Sequence, residues 1–177
     1  MKITVFSKFV GIAFLSLGFA FAQTDGPSTE NMIEQLKPKP TRLTRSLTVE
    51  RAPSNPPEET KADKPKPQIS LNILFDFNSA RVKPDSQVIL SRLAEALQSE
   101  ALANSRFSVE GHTDAKGTPD SNMKLSWLRA EAVCNYLAGK GVNKSRLVAV
   151  GKGSTELTNA MAPYAAENRR VKIINLD

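Results

Sequence analysis

Eight of the eleven prolines in this 177-residue chain lie between Pro27 and Pro67, and this uneven distribution limits what each part can fold into. Proline fixes φ and lacks a backbone N–H, so it interrupts helices and sheet ladders alike. Residues 23–67 also contain few large apolar side chains, and such a segment buries too little surface to offset its ordering entropy. The sequence therefore predicts a flexible Pro-rich linker over 23–67 and one folded domain over 68–177.

Two stretches inside the predicted linker have a more regular pattern. "STENMIEQL" at 28–36 is amphipathic and is compatible with a transient helix before Pro38, and "TRLTRSLTVE" at 41–50 is compatible with a strand that pairs with a partner. Neither is the main expectation. We expect the whole linker to be extended and mobile, with a partly polyproline-like backbone.

The first 22 residues have the pattern of a secretory signal peptide. Lys2 and Lys8 form a basic start, an apolar stretch covers 9–19, and small residues precede a predicted cleavage after Ala22. The alternative is an uncleaved anchor, although the apolar stretch is shorter than the roughly 20 residues of a membrane span. No cysteine lies near Ala22, which argues against a lipid-modified amino terminus. We therefore expect export to the periplasm or cell envelope of a Gram-negative bacterium.

Cys134 is the only cysteine, so the chain cannot form an intramolecular disulfide. It lies within an apolar helical pattern. We interpret it as a small buried hydrophobic residue rather than as a reactive thiol.

Hydrophobic periodicity predicts six elements in the folded part. They are a strand at 69–77, a helix from 84 to about 98, a strand at 106–114, a helix that begins at 119 and ends at Gly139 or Gly141, a strand at 145–153 and a strand at 169–176. Pro84 and Pro119 mark helix starts, because proline is favoured at the first helical position, and Thr118 is the predicted N-cap of the second helix. The order indicates an α+β fold, a βαβαββ sandwich with the helices on one face of a mixed sheet.

The same periodicity predicts which side of each helix faces the core. The predicted core-facing residues are Val88, Ile89, Leu93, Ala96 and Leu97 on the first helix, and Leu125, Leu128, Ala132, Val133, Tyr136 and Leu137 on the second.

The stretch "GHTDAKG" at 111–117 contains the only histidine, His112. A zinc or iron site needs three or four ligands. His112 and Asp114 point the same way in an alternating strand, but no third ligand follows at a suitable spacing. The sequence therefore argues against a metal site and implies no cofactor.

Catalytic patterns are also weak. The serines have no nucleophile elbow, the carboxylates form no distinctive pair, and the "GKG" at 151–153 is too short for a phosphate loop. We therefore predict a protein that is not an enzyme.

Opposite charges on two neighbouring elements suggest a binding role instead. Asp114 ends a strand, and Arg129 shares a helical face with Asn122 and Ser126 at spacings of three and four. An arginine fork suits a carboxylate and an aspartate suits an ammonium group, so the two could grip a free amino-acid end. The alternative is that Asp114 and Arg129 form a structural ion pair with each other.

Five motifs in order carry a family resemblance. They are "LFDFNSA" (74–80), "EGHTDAKG" (110–117), "SNMKLSWLRAEAVCNYL" (121–137), "RLVAVGKG" (146–153) and "ENRRVKI" (167–173). With these motifs the folded part closely resembles the OmpA-like peptidoglycan-binding domain, which is also found at the carboxyl end of Pal lipoproteins and MotB-type stator proteins.

The resemblance implies non-covalent binding of the diaminopimelate side chain in the peptidoglycan stem peptide. It assigns the ligand ammonium to Asp114 and the ligand carboxylate to Arg129. Further wall residues implied by the resemblance are Asn78, Asn122, Thr113, Leu125 and Ser126, with Arg169 and Arg170 flanking the pocket or bracing it. His112 would be a scaffold residue that holds its loop by a hydrogen bond.

Three departures from the family pattern stand out. Lys116 occupies a position where the family often has a small polar residue or threonine, and Ser121 one where it often has an aromatic residue. Residues 23–67 are too few for the eight membrane strands of about 9–11 residues that some members carry, so we expect a secreted member without that barrel.

The partner is thus expected to be peptidoglycan, with a possible envelope protein contacting the linker and possible outer-membrane association without a spanning segment. Residues 68–177 carry 14 basic and 11 acidic side chains. No basic stripe with interleaved aromatics indicates nucleic acid, and export also argues against it. Alternatives are an interaction protein with a vestigial pocket, a stator-like anchored protein and, less favoured, a peptidoglycan-degrading enzyme.

Overall fold

The structure, a computed structural model, describes residues 26–38 and 65–177. The predicted signal peptide and the strand-like stretch at 41–50 lie outside these residues. The described helices are α1 (Thr29–Leu36), α2 (Pro84–Gln98) and α3 (Pro119–Gly139), and the strands are β1 (Gln68–Leu71), β2 (Phe107–His112), β3 (Leu147–Gly153) and β4 (Val171–Asn175). Short 3-10 turns cover Lys144–Arg146 and Ala166–Asn168.

The four strands form one mixed sheet in the order β1-β4-β2-β3. β2 runs parallel to β3, whereas β4 is antiparallel to both of its neighbours, β1 and β2. Alternate side chains of the sheet form a single core with the helices, as the period of two in a strand requires. The sheet contributes Ile69, Leu71, Phe107, Val109, Val171 and Ile173 to this core. The predicted α+β fold with helices on one sheet face is confirmed.

Helix α1 is part of this core. Met32 and Leu36, four residues apart and therefore on one side of the helix, are fully buried where α1 packs against α2 and β1. Ser28 caps the helix by accepting a hydrogen bond from the Asn31 backbone N–H at 3.3 Å. The prediction of an extended segment is therefore wrong for residues 29–36, because burial of two large apolar side chains stabilises a helix too short to form alone.

Asn175 holds both ends of the Pro-rich segment that follows α1. Its side-chain amide donates to the Leu36 carbonyl at 2.9 Å, and its backbone N–H donates to the Pro67 carbonyl at 2.9 Å. Asn175 is itself fully buried. Leu36 and Pro67 thus lie close together at Asn175. For residues 39–64, which the structure does not describe, the linker stays a prediction.

The first strand is shorter than predicted. β1 ends at Leu71 because its partner β4 begins at Val171, which pairs with Leu71, so later residues have no neighbouring strand. The chain instead makes a turn closed by a bridge between Phe75 and Val82. Asn78 lies in this turn with a φ of 46°, a left-handed conformation that asparagine tolerates better than most residues. The predicted strand at 69–77 is therefore wrong beyond Leu71. The other three predicted strands, 106–114, 145–153 and 169–176, extend one or two residues past the observed Phe107–His112, Leu147–Gly153 and Val171–Asn175.

The predicted bounds of α2 are confirmed. Helix α3 begins at the predicted Pro119 and ends at Gly139, one of its two predicted ends, and Thr118 accepts the N-cap hydrogen bond from Ser121 N–H. The predicted core residues Leu125 and Ala132 are half-buried and lie outside the core. Two other predicted core positions are exposed: Val88 is 51% exposed and Leu128 is 39% exposed. Each lies two residues, or about 200°, before the first residue of the buried stripe. These stripes are Leu90, Leu93, Ala94 and Leu97 on α2, and Ala130, Val133, Cys134 and Leu137 on α3.

Cys134 lies in the second stripe and is buried, as predicted. Burial raises the pKa of its thiol to about 12, which disfavours the reactive thiolate. Within the described ranges, no helix has the combined length and hydrophobicity of a membrane span.

Candidate functional site

A cleft of about 580 Å³ opens where the 75–83 turn, the 113–117 loop after β2 and the first half of α3 meet. Seven of the eight predicted site residues line it. They are Asn78, Thr113, Asp114, Asn122, Leu125, Arg129 and Arg169. Residues from four separate stretches of sequence therefore converge on one site.

Ser126, the eighth predicted residue, does not line the cleft. Its side chain is fully buried, its hydroxyl donates to the Met123 carbonyl at 2.8 Å, and it accepts from the Gly153 N–H at 2.8 Å. Ser126 thus ties α3 to the end of β3. Arg170 also lies elsewhere, with one terminal nitrogen donating to the Glu156 carbonyl at 3.1 Å.

Gly111 allows the close approach of α3 that assembles the cleft. A Cβ built on Gly111 would lie 2.1 Å from the Ser126 carbonyl oxygen, a contact that no side chain tolerates. The absence of a side chain therefore lets α3 press against the end of β2. This contact brings Arg129 on α3 near Asp114 on the loop that follows β2.

The Asp114 carboxylate is held by two partners. One oxygen accepts from the Arg169 guanidinium at 2.8 Å, and the other accepts from the Lys116 backbone N–H at 3.2 Å. Its salt bridge is therefore with Arg169, so the alternative of an Asp114–Arg129 ion pair is wrong. Each carboxylate oxygen can accept more than one hydrogen bond, so Asp114 keeps acceptor capacity toward the cleft.

Arg129 is only 9% exposed and is fixed at one edge of its guanidinium group. Its Nε donates to the Ser79 carbonyl at 3.0 Å, and its central carbon lies 4.9 Å from the centroid of the Phe75 ring. Among the described residues, its two terminal nitrogens have no hydrogen-bond partner. They are free to form the planar fork that binds a carboxylate.

The charges around Arg129 favour an anion in the cleft. Burial and then the nearby Arg169 charge lower the pKa of Arg129, while Asp114 raises it. Two guanidinium groups that repel one another are both stabilised by an anion placed between them. Because Arg129 begins from a very high pKa, it stays charged at any physiological pH.

The sequence analysis missed several cleft residues. Phe75, Asp76, Phe77 and Lys83 line the cleft beside Lys116, and Phe77 is 93% exposed. All but Lys83 and Lys116 belong to the "LFDFNSA" motif, which was read as a strand with one core-facing side. Asn78 and Ser79, residue types that favour turns, were the available signal in that motif.

His112 is a buried scaffold residue whose ring makes no hydrogen bond. Its two ring nitrogens have no partner among the described residues, and the closest charged oxygen, on Glu110, is 3.9 Å away. The hydrogen bond expected from His112 is therefore not made by its ring. Its backbone N–H instead joins the loop to Arg170 by donating to the Arg170 carbonyl at 2.9 Å. Burial, with Arg170 and Lys172 nearby, lowers the pKa of His112 to about 4.

The fold brings Glu110, His112 and Glu156 within 4.8 Å of one another, in the arrangement of a possible cation site. Lys152 lies 2.8 Å from Glu156 and 3.7 Å from Glu110, and Lys172 lies 3.2 Å from Glu110. The two lysines thus already neutralise both carboxylates. We interpret the cluster as an ion-pair network on the sheet face opposite the helices.

Comparisons with known proteins place these features in a family. The chain is 34% identical over 125 residues to outer membrane protein A of Bordetella avium, covering 67% of this chain and 63% of that protein. It is 36% identical over 104 residues to the peptidoglycan-binding protein ArfA of Mycobacterium tuberculosis, covering 58% of this chain and 31% of that protein. The chain therefore spans less than two thirds of the length of these relatives.

A solved structure supports the same assignment. The peptidoglycan-associated lipoprotein of Burkholderia pseudomallei superposes with a TM-score of 0.51 at 31% identity, covering 60% of this chain and 88% of that one. The sequence profile of the OmpA family matches residues 74–171, which is more than half of the sequence. The match includes every residue that lines the cleft. The chain belongs to the OmpA family.

Proposed function

We propose that this protein binds peptidoglycan without making or breaking a bond, through the diaminopimelate of the stem peptide. The free end of diaminopimelate is a zwitterion with one ammonium and one carboxylate. One observation carries the proposal: the buried Arg129 presents its unengaged terminal nitrogens to the cleft that also contains the Asp114 carboxylate. This arrangement matches both charges of the ligand.

The proposed binding geometry follows from the hydrogen-bond donors and acceptors of each side chain that are not engaged within the described part of the protein. The Arg129 fork receives the ligand carboxylate, and Arg169, already held by Asp114, adds positive charge beside it. The ligand ammonium donates to the remaining acceptor sites of Asp114. Asn78 and Asn122 lie at the cleft wall, where their side-chain amides orient the zwitterionic end by hydrogen bonds.

Two relatives support the peptidoglycan assignment. ArfA is named as a peptidoglycan-binding protein, and the Burkholderia protein is named as peptidoglycan-associated. By extension we propose that the chain acts in the periplasm or cell envelope, where it tethers or organises the wall.

The direct test titrates the protein with a diaminopimelate-containing stem peptide and follows backbone amide shifts by NMR. Asp114→Asn keeps the shape and removes the charge, and Arg129→Lys keeps the charge and removes the fork. Each should weaken binding by about tenfold or more, because a hydrogen bond to a charged group contributes about 1.5–3 kcal/mol. Asp120→Asn, an exposed carboxylate outside the cleft, is the matched control and should bind like the wild type.

Thermal unfolding of each variant separates lost binding from lost folding, since Arg129 also holds Ser79 and Asp114 also holds Arg169. Absence of amide shifts around Asp114 and Arg129 at millimolar peptide would contradict the proposal. That outcome would favour the alternative of a vestigial pocket in an envelope interaction protein.

A further inference from the structure

The cleft contains more positive charge than one zwitterion can balance. Its lining includes four basic side chains, Lys83, Lys116, Arg129 and Arg169, and two acidic ones, Asp76 and Asp114. A diaminopimelate end has no net charge and leaves this excess unchanged. The surplus therefore points to a ligand with additional negative charge.

The two acidic side chains are already engaged. Asp114 pairs with Arg169 at 2.8 Å, and Asp76 lies 3.7 Å from Arg81, which is outside the cleft lining. Neither carboxylate therefore neutralises a lysine of the cleft. Asp114 accepts a hydrogen bond from the backbone N–H of Lys116, and its carboxylate does not pair with the Lys116 ammonium group.

The two lysines are the unbalanced charges. Within residues 26–38 and 65–177, neither the Lys83 nor the Lys116 ammonium group has a carboxylate partner or a hydrogen bond. Both side chains are exposed and line the cleft, on the 75–83 turn and the 113–117 loop that form two of its walls. A flexible lysine on each wall can reach an anion that extends beyond the buried Arg129.

We propose that Lys83 and Lys116 read a second carboxylate of the stem peptide, so that the cleft prefers stems with free carboxylates over amidated ones. This inference rests on the proposed function, because it assumes that Arg129 holds the first carboxylate. The second carboxylate has two possible sources in a stem tetrapeptide: the α-carboxylate of D-glutamate and the carboxylate at the peptide's carboxyl end. The shared chemistry is one additional negative charge at the cleft mouth.

The test uses three synthetic tetrapeptides, L-Ala–γ-D-Glu–meso-diaminopimelate–D-Ala, measured by titration calorimetry or NMR. One has all carboxylates free, one is amidated at D-glutamate, and one is amidated at the terminal D-Ala. The free peptide should bind about fivefold more tightly than the peptide that lacks the recognised carboxylate, as expected for exposed ion pairs. The peptide that loses this affinity identifies the source.

Variants assign the preference to the two lysines. The double variant Lys83→Gln/Lys116→Gln should bind the free and amidated peptides with equal affinity. The matched control is Lys124→Gln/Lys140→Gln, which removes the same charge from exposed positions outside the cleft and should keep the preference.

The outcomes separate the two proposals. Equal wild-type binding of all three peptides would overturn this inference and leave the proposed function standing. A preference that persists in the Lys83/Lys116 double variant would also overturn it, because other groups would then read the charge. Failure of every peptide to bind would overturn the proposed function and this inference with it.

Discussion

At the scale of single residues, burial has opposite consequences for two basic side chains. Arg129 and His112 are both buried. Arg129 keeps its charge because it begins from a very high pKa, and it has Ser79 and Phe75 as partners. His112 begins near neutrality and is pushed to the uncharged form by burial and by Arg170 and Lys172. His112, the only histidine of the chain, is therefore uncharged at neutral pH, and Arg129 is the buried residue that presents a charge to the cleft.

The buried His112 makes stability depend on pH. Its pKa is about 4 in the folded protein and about 6.5 when unfolded, so in this window the unfolded chain binds a proton that the folded chain does not. Stability therefore falls as pH falls. We expect a loss of about 2 kcal/mol between pH 7 and pH 5, measured by urea unfolding.

A variant isolates this contribution. His112→Gln cannot titrate, so the difference in its unfolding free energy between pH 7 and pH 5 should be smaller by that amount. Only the change in unfolding free energy with pH is compared between the two proteins, so a difference in their absolute stability does not affect the result. Parallel pH profiles for the two proteins would show that another group causes the loss.

At the scale of elements, an eight-residue helix becomes stable only because the domain completes it. Isolated helices shorter than about 12–15 residues are marginal in water. Here Met32 and Leu36 are part of the core, where α1 contacts α2 and β1. The Asn175 side chain donates a hydrogen bond to the carbonyl of Leu36, the last residue of α1. The Pro-rich segment after α1 therefore has both ends attached to the domain at Asn175.

This attachment predicts that α1 unfolds together with the domain. Met32→Ala should lower the free energy of unfolding by about 2–5 kcal/mol, the usual range for truncating a large buried side chain. Glu34→Ala on the exposed side of α1 is the control and should change it by less than about 0.5 kcal/mol. Equal effects of the two substitutions in urea unfolding would mean that α1 is not docked.

At the scale of the whole molecule, the OmpA family assignment is consistent with a binding protein. The family is non-enzymatic, as the sequence analysis predicted. The chain has a formal net charge of +6, and its cleft has the same sign. An anionic ligand would therefore be attracted both by the net charge of the molecule and by the charge of the proposed site.

Such attraction should be screened by salt. We expect retention on purified cell-wall sacculi to fall severalfold when ionic strength rises from about 0.05 to 0.5 M, since the screening length shrinks from over 10 Å to a few Å. Co-sedimentation measures this, and circular dichroism at both salt concentrations checks that the fold is unchanged. Retention that stays constant or rises would indicate apolar contacts instead, with the exposed Phe77 as the first residue to test.

Local sequence was sufficient wherever neighbours along the chain decide the outcome. The helix starts at Pro84 and Pro119 and the Thr118 cap were predictable because they depend on hydrogen bonds within one turn. The order of elements and the α+β class followed from periodicity. Val88 and Leu128 were placed wrongly because each helix also has apolar residues on the side opposite the buried stripe, and the local pattern does not show which side the core covers.

By itself, the sequence determined the order of helices and strands within residues 68–177, the motifs of the OmpA family and seven of the fourteen residues that line the cleft. Only the tertiary structure decided which charges meet. Asp114 pairs with Arg169, 55 residues away, rather than with Arg129, and Asn175 contacts Leu36 across 139 residues. The physical reason is that periodicity reports energies between near neighbours, whereas ion pairs and docked helices depend on which distant side chains the packed core brings into contact.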